Sequence, residues 1–101
     1  MDNRLEIKLK IYKELKVAFQ TVDEQIKEAQ FEKEELEIKK ELYETCINEE
    51  LAAEDGEVVK KHLKENEAAI KECDKKIDNL MQERNAYRIE IEAYEQFMRD
   101  V

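Results

Sequence analysis

The chain has 101 residues, of which 45% are charged and 42% are hydrophobic, and its formal net charge is −9. Such a short, charged composition is typical of coiled coils and long solvated helices, and it argues against a globular enzyme with a deep core. The sequence contains no run of about 18 apolar residues and no basic start followed by an apolar block, so it predicts a cytoplasmic protein without a membrane span or secretory signal.

The first predicted element is a helix from about residue 4 to about residue 54, with apolar residues at heptad spacing. Near its start, four apolar residues alternate with charged ones, which is the period of a half-buried strand, so a short strand is an alternative there. We favour the helix, because a strand without a partner is unstable. The four residues are predicted to extend past the second helix and to bind a partner. They are Leu5, Ile7, Leu9 and Ile11.

A second apolar stripe follows the same helix beside its heptad seam. The spacings between its members are seven, four and four residues, so the apolar arc is wider than one partner helix covers. Self-association into a four-helix arrangement is the predicted way to bury it, and a foreign protein is the alternative. The members are Phe31, Ile38, Leu42 and Cys46.

The turn is predicted at residues 54–57, because Gly56 is the only glycine and the sequence has no proline. Glycine adopts backbone conformations that other residues avoid, so it is the residue best suited to a tight reversal.

The second helix is predicted from about residue 57 to about residue 100, with a seam of about six heptads. In an antiparallel pair, each a position lies level with a d position, so the residue numbers of every layer share one sum. A sum of 113, which pairs Leu36 with Ile77, puts the reversal at Gly56, although a slip by one turn is an alternative. The sequence therefore predicts an all-α fold over residues 1–101, with two long antiparallel helices in a coiled-coil helical hairpin.

Charge is unevenly spread along the chain. Residues 23–57 contain 14 acidic residues and four lysines, whereas residues 1–16 contain five basic and three acidic residues. Much of this charge supports exposed helix through pairs four residues apart. A sharper interpretation is an acidic face that docks on a basic protein surface, even one that normally holds DNA. Its candidates are Glu34, Glu35, Glu37 and Glu41.

Phe97 is a further candidate for partner binding. Aromatic residues are enriched at binding hot spots, and five of the seven aromatics fall near the open end of the predicted hairpin. Four of those five occupy a or d positions, which makes them core residues. Phe97 is the one outside the seam.

No residue pattern points to chemistry. His62 has no second histidine or cysteine at ligand spacing, and a single glycine cannot form a Gly-rich phosphate loop. Cys46 and Cys73 lie six residues off level in the predicted register, so an intrachain disulfide is not expected. We predict no catalytic residue, cofactor or metal, and no direct binding of nucleic acid or membrane.

The predicted function is protein–protein interaction, as a homo-oligomeric coiled-coil adaptor, chaperone or assembly subunit. The alternative is a small acidic antagonist, of the kind that phages use as inhibitors, which blocks a basic or nucleic-acid-binding site on a target protein.

Overall fold

A computed structural model describes residues 3–51 and 53–99. Within these residues the chain is all-helical, with helix α1 at Asn3–Asn48, helix α2 at Gly56–Arg99 and no strand. The predicted all-α fold is confirmed, and the two helices are consistent with a helical hairpin. Residues 5–11 are helical rather than extended, which settles the alternative for that segment.

The chain is divided into two compact units, and each unit contains a stretch of both helices. Unit 1 comprises residues 3–27 and 78–99 of the described chain, and unit 2 comprises the described residues between 28 and 77. Within unit 1 the two stretches are antiparallel, because Tyr12 contacts Tyr94 whereas Asp23 contacts Arg84. Within unit 2 they are also antiparallel, because Lys33 contacts Asp74 whereas Tyr43 contacts His62.

The predicted heptad seam is the buried face in both units. With the exception of Leu5, every a and d position of the described residues is buried or half-buried. Val22 and Ile26 are the most buried apolar side chains of unit 1, and Ala29, Cys73 and Ile77 are those of unit 2. The side chain of Val101, a predicted d position, lies outside the described residues.

The predicted register is wrong by about one heptad. In unit 1 the rings of Tyr12 and Tyr94 are 6.2 Å apart, and in unit 2 the rings of Tyr43 and His62 are 5.8 Å apart. The residue numbers of these pairs sum to about 106 instead of 113. A displacement of seven residues keeps a positions level with d positions, so it satisfies the same apolar pattern.

The connection between the two helices begins earlier than predicted. Helix α1 ends at Asn48, before the predicted end near residue 54, and the connection precedes Gly56. Glu50 adopts the left-handed conformation, with φ of 56°. The Leu51 N–H donates to the Cys46 carbonyl at 3.0 Å and the Glu50 N–H donates to the Ile47 carbonyl at 3.2 Å. These bonds form a Schellman motif, which ends the helix without glycine.

Gly56 is the first residue of α2 and its φ is not positive. The carbonyl of Asp55 accepts hydrogen bonds from the N–H groups of Val58 and Val59, which places Asp55 as the residue that caps the helix start. Glu57 adds a negative charge in the first turn, where the helix dipole favours it. The helix therefore begins with acidic residues, and Gly56 is not what reverses the chain.

Candidate protein-binding site

The outer face of α1 in unit 2 carries an exposed apolar stripe. Phe31, Ile38 and Leu42 are 67%, 60% and 58% exposed. Their spacings of seven and four residues place the three side chains within about 40° of each other around the helix. Cys46, predicted as the fourth member, is half-buried and lines a groove of about 280 Å³ beside the loop.

Acidic side chains lie within and beside this stripe. Glu35 follows Phe31 by four residues on the same face, and Glu34 and Glu41 lie about 60° to 80° to one side. All three are exposed. Among residues 3–51 and 53–99, no ion pair within 4.0 Å engages any of them. They therefore carry charge that a partner can use.

Glu37 belongs elsewhere, because it lies nearer the seam with its carboxylate 3.9 Å from the Lys33 ammonium. The predicted apolar stripe and the other three predicted acidic residues form a single surface instead of two. We call it the acidic surface. It consists of Phe31, Glu34, Glu35, Ile38, Glu41 and Leu42.

The apolar residues near the start of α1 do not form one patch. In a helix, Leu5 and Leu9 share one side, whereas Ile7 and Ile11 lie about 200° away from them. All four are partly exposed, from 39% for Ile11 to 56% for Ile7. The alternating pattern that suggested a strand therefore distributes these side chains over two faces of the helix.

The overhang predicted for residues 5–11 is shorter than expected, because the register is shifted. The Lys8 ammonium lies 4.1 Å from the centre of the Phe97 ring, a cation–π contact between α1 and α2. Leu9 lines a shallow groove with Met98. Both residues thus contact α2 or lie beside it.

Phe97 is partly covered by its own unit. Its ring centre is 5.9 Å from that of Tyr94, and Lys8 lies over the ring. The side chain remains 46% exposed and borders a groove of about 400 Å³ with Leu15 and Ala93. Phe97 is available to a partner, but less so than the apolar residues of the acidic surface.

Several exposed apolar residues were not singled out by the sequence pattern. Val17 is 61% exposed and, with Lys10 and Lys13, borders a shallow groove of about 400 Å³ on α1. Leu51 is 69% exposed in the loop, a consequence of the early end of α1. The sequence feature that could have identified Val17 as exposed is its heptad position, which faces away from the seam.

Two ion pairs that join α1 to α2 each perturb a pKa. The Arg84 guanidinium donates to Asp23 at 2.7 Å and lowers the pKa of that carboxyl. The Lys33 ammonium lies 2.6 Å from Asp74, and this hydrogen bond raises the lysine pKa. Each pair joins α1 to α2 within its own unit, so it positions the two helices of that unit.

The thiol of Cys73 is also part of the seam. Burial raises its pKa, and its Sγ donates a hydrogen bond to the Ala29 carbonyl at 3.2 Å. A buried, protonated thiol is a poor nucleophile and a poor metal ligand. Cys73 therefore packs in the seam and helps to position the two helices. Cys46 is a free, half-buried thiol near the loop.

The described residues contain no group of three or more histidine, cysteine, aspartate or glutamate side chains arranged to hold a metal ion. Within the same residues, neither helix has the length and apolar character needed to cross a membrane. Comparisons with protein families, with curated proteins and with solved structures return no match to this chain.

Proposed function

We propose that this chain is a non-enzymatic protein-binding module, an adaptor, chaperone or assembly subunit, and that the acidic surface is where it binds. The observation that supports the proposal is the exposure of Phe31, Ile38 and Leu42 on one narrow face of α1. Fully burying such a side chain contributes roughly 1.5–3 kcal/mol, so a partner that covers all three gains substantial free energy.

The partner has a definable chemistry. A helix with its own apolar row can pack along the stripe, as in other complexes in which an amphipathic helix binds an apolar surface. Lysine or arginine beside that row would meet Glu34, Glu35 and Glu41, whose carboxylates have no ion-pair partner among the described residues. An acidic partner would be repelled by the same three charges. The preferred partner is therefore a cationic amphipathic helix.

A second candidate function is supported by the same three carboxylates. A small acidic protein can occupy a basic site on a target, including one that normally binds nucleic acid, and so act as an antagonist. In that case charge dominates binding, and the apolar side chains contribute little. The two functions consequently differ in their salt dependence and in their need for Phe31 and Ile38.

A peptide titration tests the proposal. The probe is a fluorescent helical peptide of about 20 residues with a leucine face flanked by lysines. A second peptide has the same lysines with serine in place of leucine. We expect the leucine peptide to bind with an affinity at least about tenfold higher than the serine peptide, because the apolar contacts supply more than about 1.4 kcal/mol.

Matched variants localise the binding. The double variant F31S/I38S should lose at least about tenfold in affinity for the leucine peptide. V58S should retain it, because Val58 is an equally apolar and half-exposed residue of α2 in the same unit. If both peptides bind equally, and if this binding is lost in about 1 M salt, the result favours the antagonist. Failure of the leucine peptide to bind at all would refute the adaptor proposal.

A further inference from the structure

Two stretches of α1 have related sequences. Residues 5–8 read Leu-Glu-Ile-Lys, and residues 36–39 read the same. At this offset of 31 residues, Ile11 corresponds to Leu42 and Tyr12 corresponds to Tyr43. The ring of each tyrosine packs at a tilted angle against a ring of α2, Tyr12 in unit 1 and Tyr43 in unit 2. The two stretches therefore present a similar apolar pattern, each within its own unit.

The charges of the two stretches are opposite at three corresponding positions. The basic residue comes from the first stretch and the acidic residue from the second in every case. The pairs are Arg4 with Glu35, Lys10 with Glu41, and Lys13 with Glu44. The sequence thus carries one apolar pattern twice, once with basic and once with acidic neighbours.

Both patterns are accessible where they leave the seam. Ile7 and Ile11 are 56% and 39% exposed and lie four residues apart, as do the exposed Ile38 and Leu42. Arg4 and Lys10 are exposed about 60° to either side of Ile7, and the Lys10 ammonium lies 4.0 Å from Glu14 on the same face. We call this second region the basic surface. It consists of Arg4, Ile7, Lys10 and Ile11.

We propose that the basic surface of one copy docks on the acidic surface of a second copy. This inference depends on the proposed function, because it names a partner for the same acidic surface. The basic surface has the required chemistry: an apolar row on a helix, flanked by lysine and arginine. Opposite charges steer the two surfaces together and suppress wrong pairings.

Like-with-like pairing is the competing arrangement, and charge disfavours it. Two acidic surfaces face to face would bring Glu34, Glu35 and Glu41 of one copy against the same residues of the other, without a counter-charge. Both surfaces lie along the same helix, α1, so the docking requires a second copy. Such head-to-tail contact is heterologous, and the dimer retains one free surface of each kind unless a ring closes.

Mixing two disabled variants tests this arrangement. The variant I38S/L42S loses the acidic surface, and the variant I7S/I11S loses the basic surface. We expect sedimentation velocity to show concentration-dependent assembly of the unmodified chain, and only monomer for each variant alone. An equimolar mixture should form dimers that grow no further, because one intact surface of each kind remains.

Salt and a matched variant complete the test. Raising salt from about 0.1 M to about 1 M shortens the Debye length from about 10 Å to about 3 Å, and should weaken self-association at least about tenfold. The variant M81S/I89S removes two exposed apolar residues of α2 and should assemble normally. Circular dichroism verifies that every variant remains helical.

The outcomes separate this inference from the proposed function. A chain that stays monomeric at all concentrations, yet binds the leucine peptide through Phe31, overturns the head-to-tail contact and leaves the binding module standing. Dimers of either variant alone also overturn it, because that result indicates a like-with-like contact through the surface that the variant retains. Absence of both assembly and peptide binding refutes both proposals.

Discussion

The buried seam residues of unit 1 are Val22 and Ile26, whereas those of unit 2 are Ala29, Asn66, Cys73 and Ile77. In unit 1, Ile26 is 2% exposed, and elsewhere in the seam the centres of the Tyr12 and Tyr94 rings are 6.2 Å apart. In unit 2, the buried residues include Ala29 and Asn66, and Cys73 donates to a backbone carbonyl. The same heptad pattern therefore produces two seams of different chemistry.

This difference indicates where each unit obtains its stability. Burial of large apolar side chains is the main source in unit 1. Unit 2 also buries a polar side chain, Asn66, in its seam, and it exposes Phe31, Ile38 and Leu42 on its outer face. A partner on that face would add apolar burial to unit 2, in line with the proposed function.

The largest expected effect is the loss of the best-buried side chain of unit 1. Ile26→Ala should lower the free energy of unfolding by about 2–5 kcal/mol, because it leaves a cavity at a fully buried position. Urea unfolding followed by circular dichroism measures the change. Cys73→Ala in unit 2 removes one buried atom instead of three carbons and should cost less.

The control for this comparison is Ile89→Ala, at a position that is 52% exposed. It should change the free energy of unfolding by no more than about 0.5 kcal/mol. Equal losses from Ile26→Ala and Cys73→Ala would contradict the assignment of apolar stability to unit 1.

An intermediate effect, of opposite sign, is expected in unit 2. Asn66 is 6% exposed, and its side-chain oxygen has no hydrogen-bond partner within the described part of the chain. Burying such a group costs about 1–3 kcal/mol, so Asn66→Leu should raise the urea midpoint by a corresponding amount. A buried asparagine at a seam position can also specify the register of paired helices.

The companion measurement for Asn66→Leu is therefore the register itself. A cysteine pair placed at level positions, one in each helix of unit 2, should crosslink in the unmodified background and less selectively in the leucine variant. A leucine variant that is less stable than the unmodified chain would show that Asn66 makes a favourable interaction.

The smallest expected effect concerns the two ion pairs, which should limit stability at opposite ends of the pH range. The pKa of Asp23 is lowered by its bond from Arg84, so its contribution is present above the ordinary value of 3.8 and is lost as pH falls through the lowered pKa. The pKa of Lys33 is raised by Asp74, so its contribution is present below 10.5 and is lost as pH rises through the raised pKa.

Thermal unfolding across the pH range measures both contributions. Asp23→Asn should flatten the acid side of the profile, and Lys33→Met should flatten the alkaline side. The pair Lys75 with Glu72, an exposed pair within α2, is the control, and Lys75→Met should leave both sides unchanged. If both variants lost their pH dependence on the same side of the profile, this would contradict the claim that the two ion pairs act at opposite ends of the pH range.

The sequence predicted most residues of the candidate site, but it did not predict that the apolar stripe and the carboxylates form one surface. The spacing of Phe31, Ile38 and Leu42 placed them on one face outside the seam, because helical periodicity alone determines which residues share a side. It also assigned Cys46 to the stripe, which is half-buried because the early end of α1 brings the loop beside it. Helical spacing alone places Glu37 about 120° from Phe31, so periodicity could have separated it from the other carboxylates. Whether a carboxylate is free or paired depends on neighbouring rotamers and on the second helix, and only the structure shows it.

The heptad pattern by itself determined the two helices and the residues that form their seam. It could not determine the register, because a displacement of seven residues places a positions level with d positions as before. Only the tertiary structure decided it, through contacts such as Lys33 with Asp74 and Asp23 with Arg84.

The turn was decided in the same way. Glycine was expected to reverse the chain, yet a Cβ added at Gly56 would meet no atom within 4 Å, and Glu50 takes the left-handed conformation instead. The sequence shows which residue adopts the left-handed conformation most easily. The position of the reversal depends instead on the register in which the two helices pack. That site lies about half a heptad before the glycine, because the preferred register shifts the layers by seven residues.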